Sequence, residues 1–224
     1  MSVAKLSPST QNYLKAIWGL QEWSDDPVTA TTLAAKTGLR MSTVSGAITK
    51  LADQGLVDHA PYGAITLTVE GRGHALAMVR RHRLLETFLV SSLGYRSDQV
   101  HDEAEHLEHC VSDFLVERIA EFLGHPARDP HGDPIPAVDG SVSRPDAVPL
   151  AQVPVPASVV VERLSDDDAE LLRFLDSRGV ELGAALEVQP GPPYSGTLLV
   201  TVAGGETFSL GRLAAEAVWV AQGR

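Results

Sequence analysis

One cysteine, Cys110, stands among 224 residues, so no disulfide can form within the chain. A lone thiol fits a reducing compartment, and a cytoplasmic location is expected. No run approaches the roughly 18 apolar residues of a membrane span. The stretch from Met1 to Thr10 also lacks the apolar segment of a secretory leader, so no membrane partner is expected. There is no His-Glu-x-x-His motif, no nucleophile elbow and no phosphate-binding loop. Those absences argue against a metallohydrolase or other enzyme and against a small organic substrate. Internal repeats and low-complexity tracts are absent too.

Positive charge is scarce, with 18 Lys and Arg against 29 Asp and Glu. A net charge of −11 would disfavour a nucleic-acid partner if it were evenly spread. It is not: residues 1–83 carry +3 and residues 84–224 carry −14. A mildly basic front on an acidic body keeps nucleic acid open for the front.

That front has the pattern of a DNA reader. Helical spacing of Tyr13, Leu14, Ile17, Trp18 and Leu20 follows a cap at Ser9 or Thr10. A short helix capped by Thr29 runs to Gly38, and a second, with Val44, Ala47, Ile48 and Leu51 inward, stops at Gly55. Helix, Gly turn, helix is a helix-turn-helix, and the alternating residues after it predict a two-stranded wing around Ala60 to Gly63. In the second helix Arg40, Ser42, Thr43, Ser45, Thr49 and Lys50 are candidate DNA contacts, with Tyr62 at the wing tip. Ser42 and Thr43 suit base edges, and Arg40 and Lys50 suit phosphates.

Downstream, one helix is predicted from Arg72 to Tyr95 and another from Gln99 to Leu123, both with apolar faces suited to dimerisation. A stretch from His125 to Pro156 holds eight of the 14 prolines, which reads as a linker. Short strands and one helix at the C-terminal end suggest a small SH3-like β-barrel. The expected fold is mainly α with small β. It comprises a winged helix-turn-helix over residues 1–73, a helical metal-binding and dimerisation domain over 74–140, a Pro-rich linker over 141–156 and the SH3-like domain over 157–224.

The segment HDEAEHLEH, His101 to His109, leaves only Ala104 and Leu107 without a ligand-capable side chain. On a helix His101, Glu105, Glu108 and His109 share one side, at offsets of three and four residues. His82 and Glu86 form another such pair one helix earlier. Carboxylates and imidazoles without thiolate suit Mn²⁺, Fe²⁺, Co²⁺ or Zn²⁺. A solvated acidic helix face has the same composition; against it, no Lys within the segment relieves the carboxylate repulsion.

Taken in order, the winged helix, HRLLE (His82 to Glu86), VHDEAEHLEH, DPHGDPIP (Asp129 to Pro136) and a small barrel resemble the diphtheria-toxin-repressor family. The pattern is most similar to that family's manganese-responsive regulators with an SH3-like domain. The resemblance covers nearly the whole chain and implies a homodimeric, metal-dependent repressor of metal-homeostasis genes, bound to a palindromic double-stranded operator. Mn²⁺ is its implied corepressor, an iron-responsive regulator being the alternative. It implies a primary metal site of Asn12, Glu105, Glu108 and His109. The implied ancillary site is His82, Glu86 and His101, with Asp167 and Glu170 from the barrel. Two departures stand out. Iron-type members have sulfur ligands where this chain has Asn12 and Glu105, and some manganese regulators have a second carboxylate where Lys15 stands. A rival reading is a winged-helix regulator whose His/Glu cluster is structural. His131 is read as part of a turn motif, and His59, His106, Cys110 and His125 are given no role.

Overall fold

A computed structural model describes Val3, residues 5–60 and residues 63–222. The chain opens on α1 (Pro8–Glu22), where Ser7 caps the Thr10 amide and Pro8 takes a first-turn position that needs no N–H. Then come α2 (Ala30–Thr37), held by a Thr29–Thr32 capping box, and α3 (Met41–Asp53), separated by a tight turn at Gly38 with φ +67°. Strands β1 (Val57–His59) and β2 (Ile65–Leu67) pair antiparallel, with Asp58 opposite Thr66. Leu14, Ile17, Leu33, Val44, Ile48, Leu51 and Ile65 interlock as the core of this winged helix-turn-helix.

The 25-residue helix α4 (Val69–Leu93) forms the spine, and buried residues occur around much of its circumference. Gly71 is required at its start, because a Cβ there would come within 1.9 Å of the Leu56 carbonyl oxygen. The long second helix predicted over Gln99–Leu123 is in fact two, α5 (Val100–Glu108) and α6 (Asp113–Phe122). Ser112 breaks it by taking extended backbone angles and capping Leu115 N. His109 therefore lies at the end of α5 rather than inside a helix. Leu84, Leu85, Ala104, Val116, Ile119 and Ile135 form a second core between these helices.

The C-terminal unit contains β3 (Val148–Pro149), β4 (Ala157–Leu164), α7 (Ala169–Ser177), β5 (Ala185–Pro190), β6 (Thr197–Val202), β7 (Thr207–Gly211), α8 (Arg212–Glu216) and β8 (Val218–Gln222). Its antiparallel sheet has the order β3-β8-β4-β5-β6-β7. Among the described residues β7 does not pair with β3, so the SH3-like unit is an open sheet and not a closed barrel. Residues at the end of the Pro-rich stretch contribute to it: β3 supplies an edge strand, and Leu150 is fully buried in the sheet's core. No helix among the described residues is long and apolar enough to cross a membrane.

Candidate metal centre and DNA-facing surface

Helix α4 places His82 and Glu86 one turn apart on the side facing α5, and α5 answers with His101. His82 Nε2 is 3.0 Å from Glu86 Oε1, and His101 Nδ1 is 3.5 Å from the same oxygen. From the C-terminal unit Asp166 reaches His101 Nδ1 at 3.0 Å. One donor atom from each of these four residues lies within 4.8 Å of all the others.

The acid that the C-terminal unit brings to this group is Asp166, whereas Asp167 and Glu170, the two acids expected there, lie outside it. Asp167 turns outward to pair with Lys36 of α2, and Glu170 is exposed in the first turn of α7. Both belong to the loop and helix start, where Asp168 takes the cap, binding the Glu170 and Leu171 amides.

Glu86 also faces Asp129 and His131, which form a further buried group with it; His131 Nδ1 is 4.0 Å from Glu86 Oε2. The motif assigned only a turn therefore delivers two side chains to the centre. Gly132 makes that delivery possible. Its φ is +93°, and a Cβ there would sit 2.2 Å from the Glu162 carbonyl oxygen, while the Leu164 amide donates to the His131 carbonyl at 2.8 Å. The loop is thereby held tightly against β4.

The electrostatics fit a cation site. Burial alone would lower the His82 pKa, but Glu86 and Glu108 outweigh it and push the imidazole up to about 9. Hydrogen bonds to Asp166 and Glu86 push His101 up to about 10. Burial would raise Glu86, yet His82 and His101 bring it down to about 2. Burial with Asp133 and Glu86 nearby pushes Asp129 well above the usual carboxylate range. His82 Nε2, both Glu86 oxygens and His131 Nδ1 are buried without a well-aligned hydrogen-bond partner among the described residues. Close charges meet there in poor hydrogen-bond geometry, an expensive state that a cation would relieve once the imidazoles give up their protons.

The second predicted ligand set is arranged differently. Glu105, Glu108 and His82 bring donor atoms within 4.8 Å of one another, but the Lys15 ammonium of α1 lies among them. It pairs with Glu105 and donates to Glu108 Oε1 at 2.7 Å and Oε2 at 2.9 Å. His109 Nε2 is 3.6 Å from Glu108 Oε1, and its Nδ1 pairs at 2.7 Å with Gln11 Oε1. Asn12, predicted as the α1 ligand, is exposed on the rim of the cleft. Of that set Glu105 and Glu108 meet at Lys15 and His109 lies beside Glu108, while exposed Asn12 lines the same cavity as Glu105.

A charged joint supports both groups. Arg83 donates twice to Glu22 of α1, at 2.8 and 2.6 Å, and lies 3.3 Å from Asp133 and 3.5 Å from Asp129. Asp133 Oδ1 accepts from Trp23 Nε1 at 2.8 Å and from Arg163 Nε at 2.7 Å, while the Arg163 guanidinium lies 4.7 Å over the Trp23 ring. One buried network thereby joins α1, α4, the loop after α6 and β4.

In the winged helix, Arg40 at the cap of α3 and Ser42, Thr43, Ser45, Thr49 and Lys50 along it are all exposed, while Val44 and Ile48 are buried. Tyr62 lies outside the described residues. A further exposed surface is apolar: Phe114, Leu115 and Phe122 of α6 are 76%, 45% and 71% exposed.

Comparison with known proteins places all three units. Residues 5–65 match the iron dependent repressor N-terminal DNA binding domain, 68–137 the iron dependent repressor metal binding and dimerisation domain, and 148–222 the FeoA domain. The iron-dependent repressor IdeR of Mycobacterium leprae is 32% identical over 96% of this chain and 97% of its own length. A manganese-dependent transcriptional repressor solved in complex with manganese is 52% identical, with a TM-score of 0.90 over 95% of this chain and 99% of that one. The manganese regulator SloR is 29% identical, with a TM-score of 0.81 over 97% of this chain and 100% of its own.

Proposed function

This chain belongs to the iron-dependent (diphtheria-toxin) repressor family, and from that premise we propose that it is a metal-dependent DNA-binding transcriptional repressor with Mn²⁺ as corepressor. The observation that carries the reading is the convergence of His82, Glu86, His101 and Asp166 on one place, where His82 Nε2 and both Glu86 oxygens are buried without a hydrogen-bond partner and His101 and Asp166 are half-buried beside them. These four residues would hold the ion, which on binding would supply positive charge and cross-link α4, α5 and the C-terminal unit. Oxygen and imidazole donors without sulfur suit Mn²⁺, and the 52% identical structure is described as manganese-dependent.

The remaining steps belong to the chain. His82 and His101 release protons as they become ligands, since both are held protonated in the metal-free protein. Asp166 already contacts His101, and Asp167 of the same loop pairs with Lys36 of the winged helix, so an ion held by Asp166 would secure that loop between the two. Bracing the winged helix through the C-terminal unit in this way would narrow the spread of reading-head positions, and a palindromic operator with half-sites about one helical turn apart tolerates little error in that spacing.

The apolar face of α6 supports a homodimer. Phe114→Glu combined with Phe122→Glu is expected to convert dimer to monomer by light scattering, with the far-ultraviolet circular dichroism unchanged. A dimer that persists in this variant places the interface elsewhere.

The direct test is fluorescence anisotropy on operator fragments selected from the source genome, with chelator-stripped protein. Added Mn²⁺ should tighten binding by roughly 5- to 150-fold, the usual range of an allosteric coupling. Equal affinity with and without metal would leave a winged-helix regulator with a structural His/Glu cluster. A larger response to matched free Fe²⁺ would assign the iron-responsive alternative.

A further inference from the structure

The Glu105–Glu108 pair has the acids and the imidazole neighbour of a metal site, yet it already contains a cation. Lys15 Nζ pairs with one oxygen of Glu105 and both oxygens of Glu108. An ammonium has three N–H donors, and three carboxylate oxygens meet it here. Glu108 is fully buried, so its charge needs a partner at all times. Lys15 is itself only 16% exposed and enters from α1 on the same face as Gln11, which holds His109. The ammonium is a covalently attached counter-ion, and a divalent ion entering the pair would have to expel it against its own repulsion.

We propose that Lys15 is a resident cation that excludes metal from the Glu105–Glu108 pair and ties α1 to α5 without metal. This deepens the reading above and rests on it, because the His82–Glu86–His101–Asp166 set then becomes the one metal centre of the described residues. His82 links the two: its Nδ1 bonds Glu108 at 2.7 Å and lies 3.4 Å from Lys15, while Nε2 faces Glu86 at 3.0 Å. Lys15 and Glu108 therefore orient the imidazole that the neighbouring centre uses, as an outer partner orients a metal ligand. The link from the winged helix to the dimerisation helix is permanent in this chain, and metal acts on the junction with the C-terminal unit.

The test is a count of tightly bound Mn²⁺ per chain, by calorimetry and by electron paramagnetic resonance of free Mn²⁺, on chelator-stripped full-length protein. Wild type should bind one. Lys15→Met keeps the packed stem and removes the charge, and should bind two, the added site at least tenfold tighter than any second event in wild type. Glu105→Gln is partly exposed and disturbs folding little; it should keep the wild-type count of one. Two tight ions in wild type, an unchanged count in Lys15→Met, or loss of an ion in Glu105→Gln would each overturn the proposal. Failure of the underlying reading looks different: wild type would bind none, and Glu86→Gln would change nothing.

Discussion

Glu86→Gln is expected to abolish the Mn²⁺ response of DNA binding while leaving a folded protein. The substitution keeps size and shape and removes one charge at a residue with 0% exposure. That charge is the hub of the centre, 3.0 Å from His82, 3.5 Å from His101 and 4.0 Å from His131. Glutamine offers a single neutral acceptor where two anionic oxygens stood, and its amide N–H groups would face imidazole nitrogens that also carry protons. Metal affinity should fall about 100-fold or more, because even the outer partners of metal ligands contribute roughly 10–100-fold. Two readouts follow. At a Mn²⁺ concentration about 100 times the wild-type Kd, mass action stabilises wild type by about 2.7 kcal/mol, and that stabilisation should fall to about 0.4 kcal/mol or less in the variant. Operator affinity should stay at the level of stripped wild type across the Mn²⁺ titration. A variant that retains both responses would remove Glu86, and with it this centre, from the mechanism.

The pH dependence of the same centre has a definite sign. In the metal-free protein His82 and His101 are raised to about 9 and 10, from an ordinary value near 6.5. Their interactions with Glu86, Glu108 and Asp166 therefore add stability that is fully present below pH 6.5 and is lost as pH rises through 9 and 10. Glu86, lowered to about 2, contributes above its ordinary value of 4.5 and loses that contribution as pH falls toward 2. Metal binding runs the other way on the histidine side, since it requires both imidazoles neutral and strengthens with pH over the neutral range.

How much of this was legible in the sequence depended on whether the deciding contact was local. The helix-turn-helix was readable because Thr29, Gly38 and the spacing of Val44, Ile48 and Leu51 act within one or two turns. The i,i+4 pair His82–Glu86 and its approach to His101 also follow from periodicity plus the packing of two neighbouring helices. Lys15 is the opposite case. The absence of lysine inside HDEAEHLEH suggests uncompensated acids, but the compensating charge comes from a residue 90 positions away. Asp166 lies one position from the expected acid, because strand β4 ends at Leu164 and the following turn decides which acid of the Asp166–Asp168 run points inward. Asp129 and His131 are hidden in a motif whose turn-forming residues explain it equally well. Their burial against Glu86 depends on Gly132 lying flat on β4, which only the assembled sheet determines.

Arg83→Met should destabilise the chain more than any of the substitutions above, and it tests whether the joint beside the centre holds the three units together. Arg83 is 9% exposed, makes a two-pronged contact with Glu22, and donates to the Pro134 carbonyl at 2.7 Å. Methionine can fill most of the space but leaves Glu22, Asp129 and Asp133, at 1%, 6% and 3% exposure, with one cation fewer among them. Breaking a buried ion pair from one side costs about 3–5 kcal/mol, because the remaining charge stays desolvated. For a chain of this size that corresponds to a drop of roughly 6–20 °C in the first thermal transition. Arg163 still serves Asp133, so Glu22 is the group most exposed to the loss. Adding Glu22→Gln to Arg83→Met should then recover part of the stability, a coupling that a simple cavity would not show. The more exposed Arg128–Glu162 pair is the control, and Arg128→Met should cost no more than about 1 kcal/mol. Because Glu22 ends α1 and Arg83 directly follows His82 and lies about one turn before Glu86, the same variant should loosen the winged helix from the dimer body. Weaker operator binding that added Mn²⁺ does not restore would show it. If calorimetry instead finds a transition within a degree of wild type, the network is screened by water and the units are held by their apolar contacts alone.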